Sequence, residues 1–515
     1  MRPERFWRRL DEYRAAGQWA AARTICHTYL QDADDAGAWL ALSSIEQASG
    51  AYRRSRAAAE GAAVSLRAPA NATQLARVAL RLLEFNEVER ARATIVAADW
   101  NAPDVLRQSP ALVQQLWLAG DDEAALRLAE HARDRIAPNA RLEYACGLVC
   151  RDTGAIAAAQ AAFEHAVRID PTFAATHWSL AYMAPKGAAR IERIRDVLSK
   201  PVADVGSAID LQYALFKEHE AAGDTESAWN ALASGARMKH GTLAPGLRDR
   251  DYATLAEAPG RALPAPDASG IRPIVFIVGM PRTGTTVVER ILGNHSAMQA
   301  AGELQDFHAA LCFHHDRFLD LPMLCRGYED LRAHEDVGAR YRASVRRFGA
   351  DGKGLIDKNP ANFVYAGLIA ESLPEARIIC LVRDPMDACF SNLKELFSGD
   401  AYPYSYDLRQ LADYYGWFER TRQRFEAALP GRFMSVDYRG LVADPAAAAA
   451  RILEFCGLPH EPGCDRIERN RSRVSTASSA QVREPIHERF VDAWTRYREP
   501  LWPLQVRLMA HGLAA

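Results

Sequence analysis

The chain changes its hydrophobic period once. Up to about residue 240 the apolar positions keep helical spacing, as in "GAIAAAQAAFEHAVRIDP". From about residue 273 short, mostly apolar runs replace them: "PIVFIVG", Pro273 to Gly279, and "ARIICLV", Ala376 to Val382. Their length and β-branched content predict buried strands of a parallel sheet. Between the two regimes, "GTLAPGLRDRDYATLAEAPGRALPAPDASGIRP" is dense in Gly, Pro and Ala and reads as a hinge. The expectation is therefore an all-α domain over 1–240, a linker over 241–270 and an α/β domain with a parallel sheet over 271–515.

The helical half repeats. Gly17, Gly50, Asn86, Gly120 and Gly154 recur at intervals of 33, 36, 34 and 34 residues. Five residues after each stands a small side chain: Ala22, Ser55, Ala91, Ala125 and Ala159. Twelve after each stand Tyr29, Ala62, Ala98, Ala132 and Ala166, small in all but the first. Small residues at fixed helical positions let antiparallel helices approach closely, and a ~34-residue helix–turn–helix unit is the tetratricopeptide signature. A degenerate further unit is expected around Gly223, with Ala228 and Gly235 at the matching offsets. The segment "APKGAARIERIRDVLSKP" departs from the pattern and predicts a longer, irregular helix pair. Such arrays present grooves for peptides or protein partners, although an array can also serve only as scaffold.

Composition narrows the class of partner. A length of 515 residues exceeds one ordinary core, and a formal net charge of −2 provides no general attraction to nucleic acid or anionic membrane. No apolar run approaches the length of a bilayer span, and the N-terminal residues lack the apolar region of a signal peptide. The nine cysteines form no CxxC pair and no zinc-ligand spacing. A cytoplasmic protein is expected.

The second half carries the chemistry. "FIVGMPRTGTTVVERIL" has Gly279, Gly284 and Thr286 at the spacing of G-x-x-x-x-G-K-[ST], but Thr285 stands where the phosphate-binding lysine belongs. A strand–loop–helix here would aim backbone N–H groups at an anion, with Arg282, Thr283, Thr285 and Thr286 as further donors. A second unit follows: Arg383 sits at the carboxyl end of the strand "ARIICLV", and Ser391 lies two helical turns further on. A guanidinium and a hydroxyl there suit a second, separate phosphate.

At these motifs the chain resembles a known family. "PRTGTT" followed by "LVRDPMDACFS" looks like the 5′-phosphosulfate and 3′-phosphate motifs of sulfotransferases that use 3′-phosphoadenosine 5′-phosphosulfate (PAPS). The likeness is nearest to tetratricopeptide-repeat sulfotransferases of bacterial type and, beyond them, to protein-tyrosine sulfotransferases. It runs from about Pro273 to Leu504 and includes "DKNPANFVYAGLIAESLPEARIICLVRDP" and "NRSRVSTASSAQVREPIHERFVDAW".

The resemblance implies a P-loop-like α/β sulfotransferase fold, with PAPS as co-substrate and no metal. Arg282, Thr283, Gly284, Thr285 and Thr286 would hold the 5′-phosphosulfate, and Arg383 and Ser391 the 3′-phosphate. Glu303 in "AAGELQDF" matches the catalytic base; from the residues alone it reads rather as a helix-start glutamate complementing the dipole. Lys358 in "LIDKNP" matches a lysine that acts on the bridging oxygen at the scissile sulfate, with Asp357 beside it either orienting that lysine or merely pairing with it. Tyr438 would lie near the adenine. Ser478 and Arg483, on a loop that also carries Arg471 and Arg473, would close over the nucleotide, with Ser478 assisting catalysis. His308, His314 and His315 are competing bases; because two of them are adjacent, at least one is expected on plain surface.

Two positions depart from the pattern. Protein-tyrosine sulfotransferases carry a lysine before the tryptophan that matches Trp494, and here that residue is Ala493. A basic residue one turn beyond the matching serine is replaced by Glu395, with Lys394 adjacent. A rearranged 3′-phosphate grip is expected. The acceptor hydroxyl, whether of a peptide such as a protein tyrosine, a carbohydrate or a small molecule, and the oligomeric state are left open. The alternatives are a P-loop kinase-like phosphotransferase, which would need a substitute for the absent lysine, and an inactive repeat scaffold.

Overall fold

The structure, a computed structural model, describes residues 1–67, 69–243, 273–320, 335–349, 352–470, 472–474 and 483–513. The hinge assigned to 241–270 therefore lies outside the described residues, except at 241–243, where the helix Thr225–Thr242 ends. Contacts divide the chain into two units. One holds Met1–Cys150, Ala157–Ile169 and His308–Asp320; the other holds Arg151–Ile156, Asp170–Phe307 and Leu321–Ala515.

The first unit is built of the predicted hairpins. Its helices pair as Pro3–Ala15 with Trp19–Leu30, Ala36–Ala48 with Tyr52–Ser65, Leu75–Glu84 with Val88–Val96, and Pro103–Leu118 with Asp122–Arg133. Ala140–Thr153 and Ile156–Ile169 form the next pair, which shares a few residues with the second unit. Each predicted turn residue is left-handed: φ is +67° at Gly17, +76° at Gly50, +59° at Asn86, +77° at Gly120 and +88° at Gly154. That conformation suits Gly and Asn and reverses the chain after a helix. The small residues five positions on, Ala22, Ser55, Ala91, Ala125 and Ala159, are all fully buried. The repeat period was thus written in the sequence through sterics.

Residues 308–320 also belong to this unit. Arg53 Nε donates to Phe313 O and Arg53 Nη2 to His314 O, both at 2.8 Å, capping the end of the helix Asp306–His315. Phe318 packs edge-on against Tyr52, with ring centroids 5.0 Å apart, and beside Phe85.

In the second unit the helices Ala174–Met183, Ala188–Leu198, Val205–Ala222 and Thr225–Thr242 precede the sheet. The further repeat predicted around Gly223 forms: Gly223 has φ +78°, Ala228 is fully buried, and Gly235 lies against Tyr213. The irregular pair is shorter than expected, with helices of 10 and 11 residues.

Five parallel strands follow: β1 Ile274–Gly279, β2 Met298–Ala300, β3 Gly354–Lys358, β4 Ala376–Val382 and β5 Phe433–Asp437. Their order is β2-β3-β1-β4-β5. β1 is central, pairing Ile274 to Ile277 with Leu355 to Lys358 and Ile274 to Gly279 with Ala376 to Leu381. Its interior residues Val275 to Val278 are fully buried, as an unbroken apolar run requires. Because the chain winds outward on both sides of β1, the carboxyl ends of β1, β3 and β4 open onto one edge, where such sheets bind ligands. Among the described residues no helix is long and apolar enough to cross a membrane.

Candidate functional site

The loop after β1 is shaped by its own backbone. Gly279 has φ +141°, Arg282 +66° and Gly284 +106°. Thr283, fully buried, donates its hydroxyl to Met280 O at 2.7 Å, so that side chain closes the loop instead of pointing outward. Two contacts from the next unit of the sheet fix the loop from behind: Arg383 Nη1 donates to Arg282 O at 3.1 Å, and Asn392 Nδ2 to Pro281 O at 2.8 Å. Asn392 was not singled out in the sequence; only the fold brings its amide under the loop. The helix Thr285–Gly293 then begins, with Thr285 and Thr286 buried in its first turn. The first N–H groups of a helix have no intrahelical acceptor, so this end favours an anion.

A Cβ on Gly284 would come within 2.6 Å of Tyr438 Cδ2. Gly284→Ala therefore combines a left-handed φ with a steric clash, and is expected to cost roughly 1–3 kcal/mol and weaken anion binding at the loop. Calorimetric titration and a melting curve would check it; wild-type behaviour in both would show that the loop tolerates the methyl.

Next to the loop lies a cavity of about 380 Å³. Of the residues singled out in the sequence, Arg282, Gly284, Thr286, Arg383, Ser391 and Tyr438 line it. Its walls carry six cations, Lys217, Arg282, Arg383, Lys394, Arg489 and Arg496, against the two carboxylates Glu220 and Glu395. The Arg383 guanidinium lies over the Tyr438 ring, 4.7 Å from its centroid, and also donates to Phe490 O. Glu395 is buried, with Oε2 3.6 Å from Arg282 Nε; burial pushes its carboxyl up, while Arg282, Lys217 and Lys394 oppose that shift. Ala493 lines the same cavity.

Burial and the charge of Lys217 push the Lys394 ammonium down to about 7, with Arg282 and Arg383 acting the same way and Glu220 opposing them. Lys394 is therefore half charged near neutral pH and mostly neutral at pH 9. An anion binds the charged form, so affinity for an anion in this cavity is expected to fall as pH rises from 7 to 9. Titrations across that range would show a steeper fall for wild type than for Lys394→Met; identical slopes would remove Lys394 as the source.

Glu303 and Lys358 do not line this cavity; they meet each other at the carboxyl end of β3. Lys358 ends that strand and is fully buried, and its Nζ donates to Glu303 Oε1 at 2.6 Å. Lys358 N also donates to Gly302 O at 2.9 Å, which ties the Glu303 loop to the strand. Beneath them stands a carboxylate that sequence reasoning missed: Glu289 Oε2, on the helix after the loop, is 3.9 Å from Lys358 Nζ. Burial pushes the Glu289 carboxyl up; Lys358 opposes this and the charge of Glu303 adds to it. "TTVVERIL" holds two adjacent charges, Glu289 and Arg290, both buried in the structure, and the segment alone does not show which way either points.

Asp357 does not orient Lys358. It is buried and accepts from Tyr341 Oη at 2.9 Å and from Asn362 Nδ2 at 3.3 Å, because successive strand residues point to opposite faces. The three histidines fall in the contact unit of the repeats, whereas Glu303 does not. His308 Nε2 faces Cys312 Sγ at 3.4 Å, and burial pushes the imidazole down. Contrary to expectation, neither His314 nor His315 is fully exposed; their rings meet edge-on at 4.9 Å. Arg483 does not line the cavity; its Nη2 donates to Asp152 O at 2.8 Å. Ser478 and Arg471 lie outside the described residues. No group of metal-ligating side chains occurs among the described residues.

A parallel sheet with a glycine-bounded loop after its central strand and a cation-lined cavity beside it makes an α/β domain whose loop and cavity suit an anion. Residues 273–462 match the profile of the sulfotransferase family, so this part of the chain is a sulfotransferase-family domain. An uncharacterized protein of Aquifex aeolicus is 31% identical over 250 residues, which cover 47% of this chain and 32% of that protein. The chain thus spans about a third of the length of that relative. A Caenorhabditis briggsae protein, provisionally named a protein-tyrosine sulfotransferase, is 22% identical over 240 residues, or 44% of this chain and 82% of that one. The sulfotransferase domain of the curacin biosynthetic pathway superposes with a TM-score of 0.34 at 18% identity, covering 47% of this chain and 97% of that one. A tetratricopeptide repeat protein from Parabacteroides merdae does so with a TM-score of 0.34 at 14% identity, covering 46% and 92%.

Proposed function

We propose that the protein transfers the sulfuryl group of PAPS to an acceptor hydroxyl. The observation that carries this is the Lys358–Glu303 pair, 2.6 Å apart at the carboxyl end of β3, one strand from the anion loop. A kinase-type loop would place its own lysine at the phosphates; here Thr285 occupies that position, and the buried cation comes from the neighbouring strand.

The donor set suits PAPS. The loop and helix start would take the phosphosulfate, with Gly284 leaving room that a side chain would fill. Arg383 and Ser391 would take the 3′-phosphate, and Tyr438, packed between Gly284 and Arg383, would lie by the base. PAPS supplies an electrophilic sulfur with a nucleotide leaving group. Glu303, partly exposed, accepts the proton of the acceptor hydroxyl as the new S–O bond forms. The Lys358 ammonium stabilises the charge that develops on the bridging oxygen as the old S–O bond breaks. A terminal triphosphate is not present, so no divalent ion is needed to neutralise one.

Incubating the full chain with ³⁵S-labelled PAPS and fractionated host extract should move label into an acceptor and release adenosine 3′,5′-bisphosphate. Magnesium-dependent turnover of ATP without label transfer from PAPS would replace this function with a phosphotransferase. The acceptor, including protein tyrosine, is what the fractionation identifies, and the repeats are proposed to bind it or a partner protein.

A further inference from the structure

The helix Val205–Ala222 lies well upstream of the sulfotransferase-matched residues 273–462, yet it forms part of the cavity wall. It is built into the unit firmly. The buried Tyr213 donates its hydroxyl to Leu393 O at 3.1 Å, and Tyr182, on the preceding helix Ala174–Met183, donates to Lys394 O. These carbonyls end the helix Pro385–Leu393, which carries Ser391. Both hydroxyls therefore satisfy acceptors that a helix end leaves open, and they hold the upstream helices against the Ser391 end of the cavity.

From this wall Lys217 lines the cavity together with Lys394 and Glu395. Its ammonium lies 5.2 Å from the Tyr182 ring centroid and 5.0 Å from that of Phe216, and 2.9 Å from Glu220 Oε2. The Lys394 ammonium is similarly seated, 4.8 Å from the Phe390 centroid. Two amine side chains preset on aromatic faces, in a cavity lined by six Lys and Arg residues and two carboxylates, repel one another whenever both are charged. Such an excess is relieved by an anion, and the arrangement is preorganised for one.

We propose that Lys217 is a ligand-binding residue, which with Lys394 holds the second phosphate of the nucleotide at the Ser391 end of the cavity. The assignment rests on the PAPS reading above. It places one of the nucleotide's grips on a repeat-like helix outside the sulfotransferase-family region, in a chain where Glu395 and Ala493 stand at positions the resemblance expects to be basic. The site is then incomplete without residues 174–222.

The test is binding of adenosine 3′,5′-bisphosphate and of adenosine 5′-monophosphate to the full chain, with Lys217→Met and Lys217→Arg as variants. Losing one charge-assisted contact predicts that Lys217→Met weakens the bisphosphate roughly 10- to 100-fold, with the monophosphate within about threefold of wild type. Lys217→Arg should retain most of the bisphosphate affinity, and the comparison with it stands if the methionine variant folds poorly. Bisphosphate affinity unchanged in folded Lys217→Met, while wild type binds, would overturn the role of Lys217 and leave the PAPS reading intact. Equal weakening of both nucleotides would overturn the assignment to the second phosphate. Failure of wild type to bind either would overturn the PAPS reading and this assignment with it.

Discussion

Lys358→Met should lower kcat for sulfuryl transfer by about 10²–10³-fold, the usual cost of deleting a preorganised charge donor, while nucleotide affinity stays within a few-fold. Lys358 is fully buried and faces Glu303 at 2.6 Å and Glu289 at 3.9 Å. An interaction made only in the transition state lowers kcat and kcat/KM together, so both should fall alike. Stability gives a second signature. Glu303 is 41% exposed and can be solvated, but Glu289 is buried and would lose its counter-charge. Its carboxyl, already pushed up, would rise further above its unfolded value. The native state then binds more protons than the unfolded one, so the stability of the variant falls as pH rises between those two values. Lys358→Met should accordingly melt closer to wild type at pH 5 than at pH 8, and adding Glu289→Gln should restore stability without restoring activity. Transfer within tenfold of wild type in Lys358→Met would remove the lysine from the chemistry.

Glu303→Gln should lower kcat by about 10²–10⁴-fold, the range for loss of a general base, with bisphosphate binding retained. The neutral amide keeps the shape of the side chain, and Lys358 keeps Glu289 as a carboxylate neighbour, so the fold should persist. Glu303→Asp is informative because it keeps the charge and withdraws it by one methylene from a 2.6 Å contact; most of the activity should still be lost. Label transfer from PAPS at equal rates by wild type and Glu303→Gln would eliminate this residue as the base. Attention would then turn to His308, the nearest of the histidines in sequence.

What the sequence made legible followed from local rules. The turns at Gly17, Gly50, Asn86, Gly120 and Gly154 could be read because a left-handed residue and a small residue five positions later are local necessities of a tight helical hairpin. β1 could be read because a strand buried on both faces is apolar without interruption, and β4 because only Arg377, near its start, breaks such a run. The loop was recognisable from Gly279 and Gly284, though not the diversion of the Thr283 hydroxyl to Met280 O. Glu289, Asn392 and Lys217 escaped notice because nothing local to their own segments distinguishes a charge or amide that points into a site from one that points into solvent. Their meaning comes from partners 69, 111 and 177 positions away, at Lys358, Pro281 and Lys394. Asp357 misled for the opposite reason: it is adjacent to Lys358 in sequence, and strand alternation separates them.

The placement of residues 308–320 among the repeats bears on how such a protein can evolve. The strip begins five residues after Glu303 and is interleaved with the first unit through Arg53, Tyr52 and Phe85. A gene fusion or exchange joined between the repeats and the sulfotransferase-family region would therefore not trade whole modules, because that region carries in its own coding sequence a piece that packs among the repeats. Foreign repeats would meet that strip without its cognate surface. Repeat and transferase are thus expected to descend together as a matched pair, with changes at Tyr52, Arg53 and Phe85 answered by changes near Phe313 and Phe318.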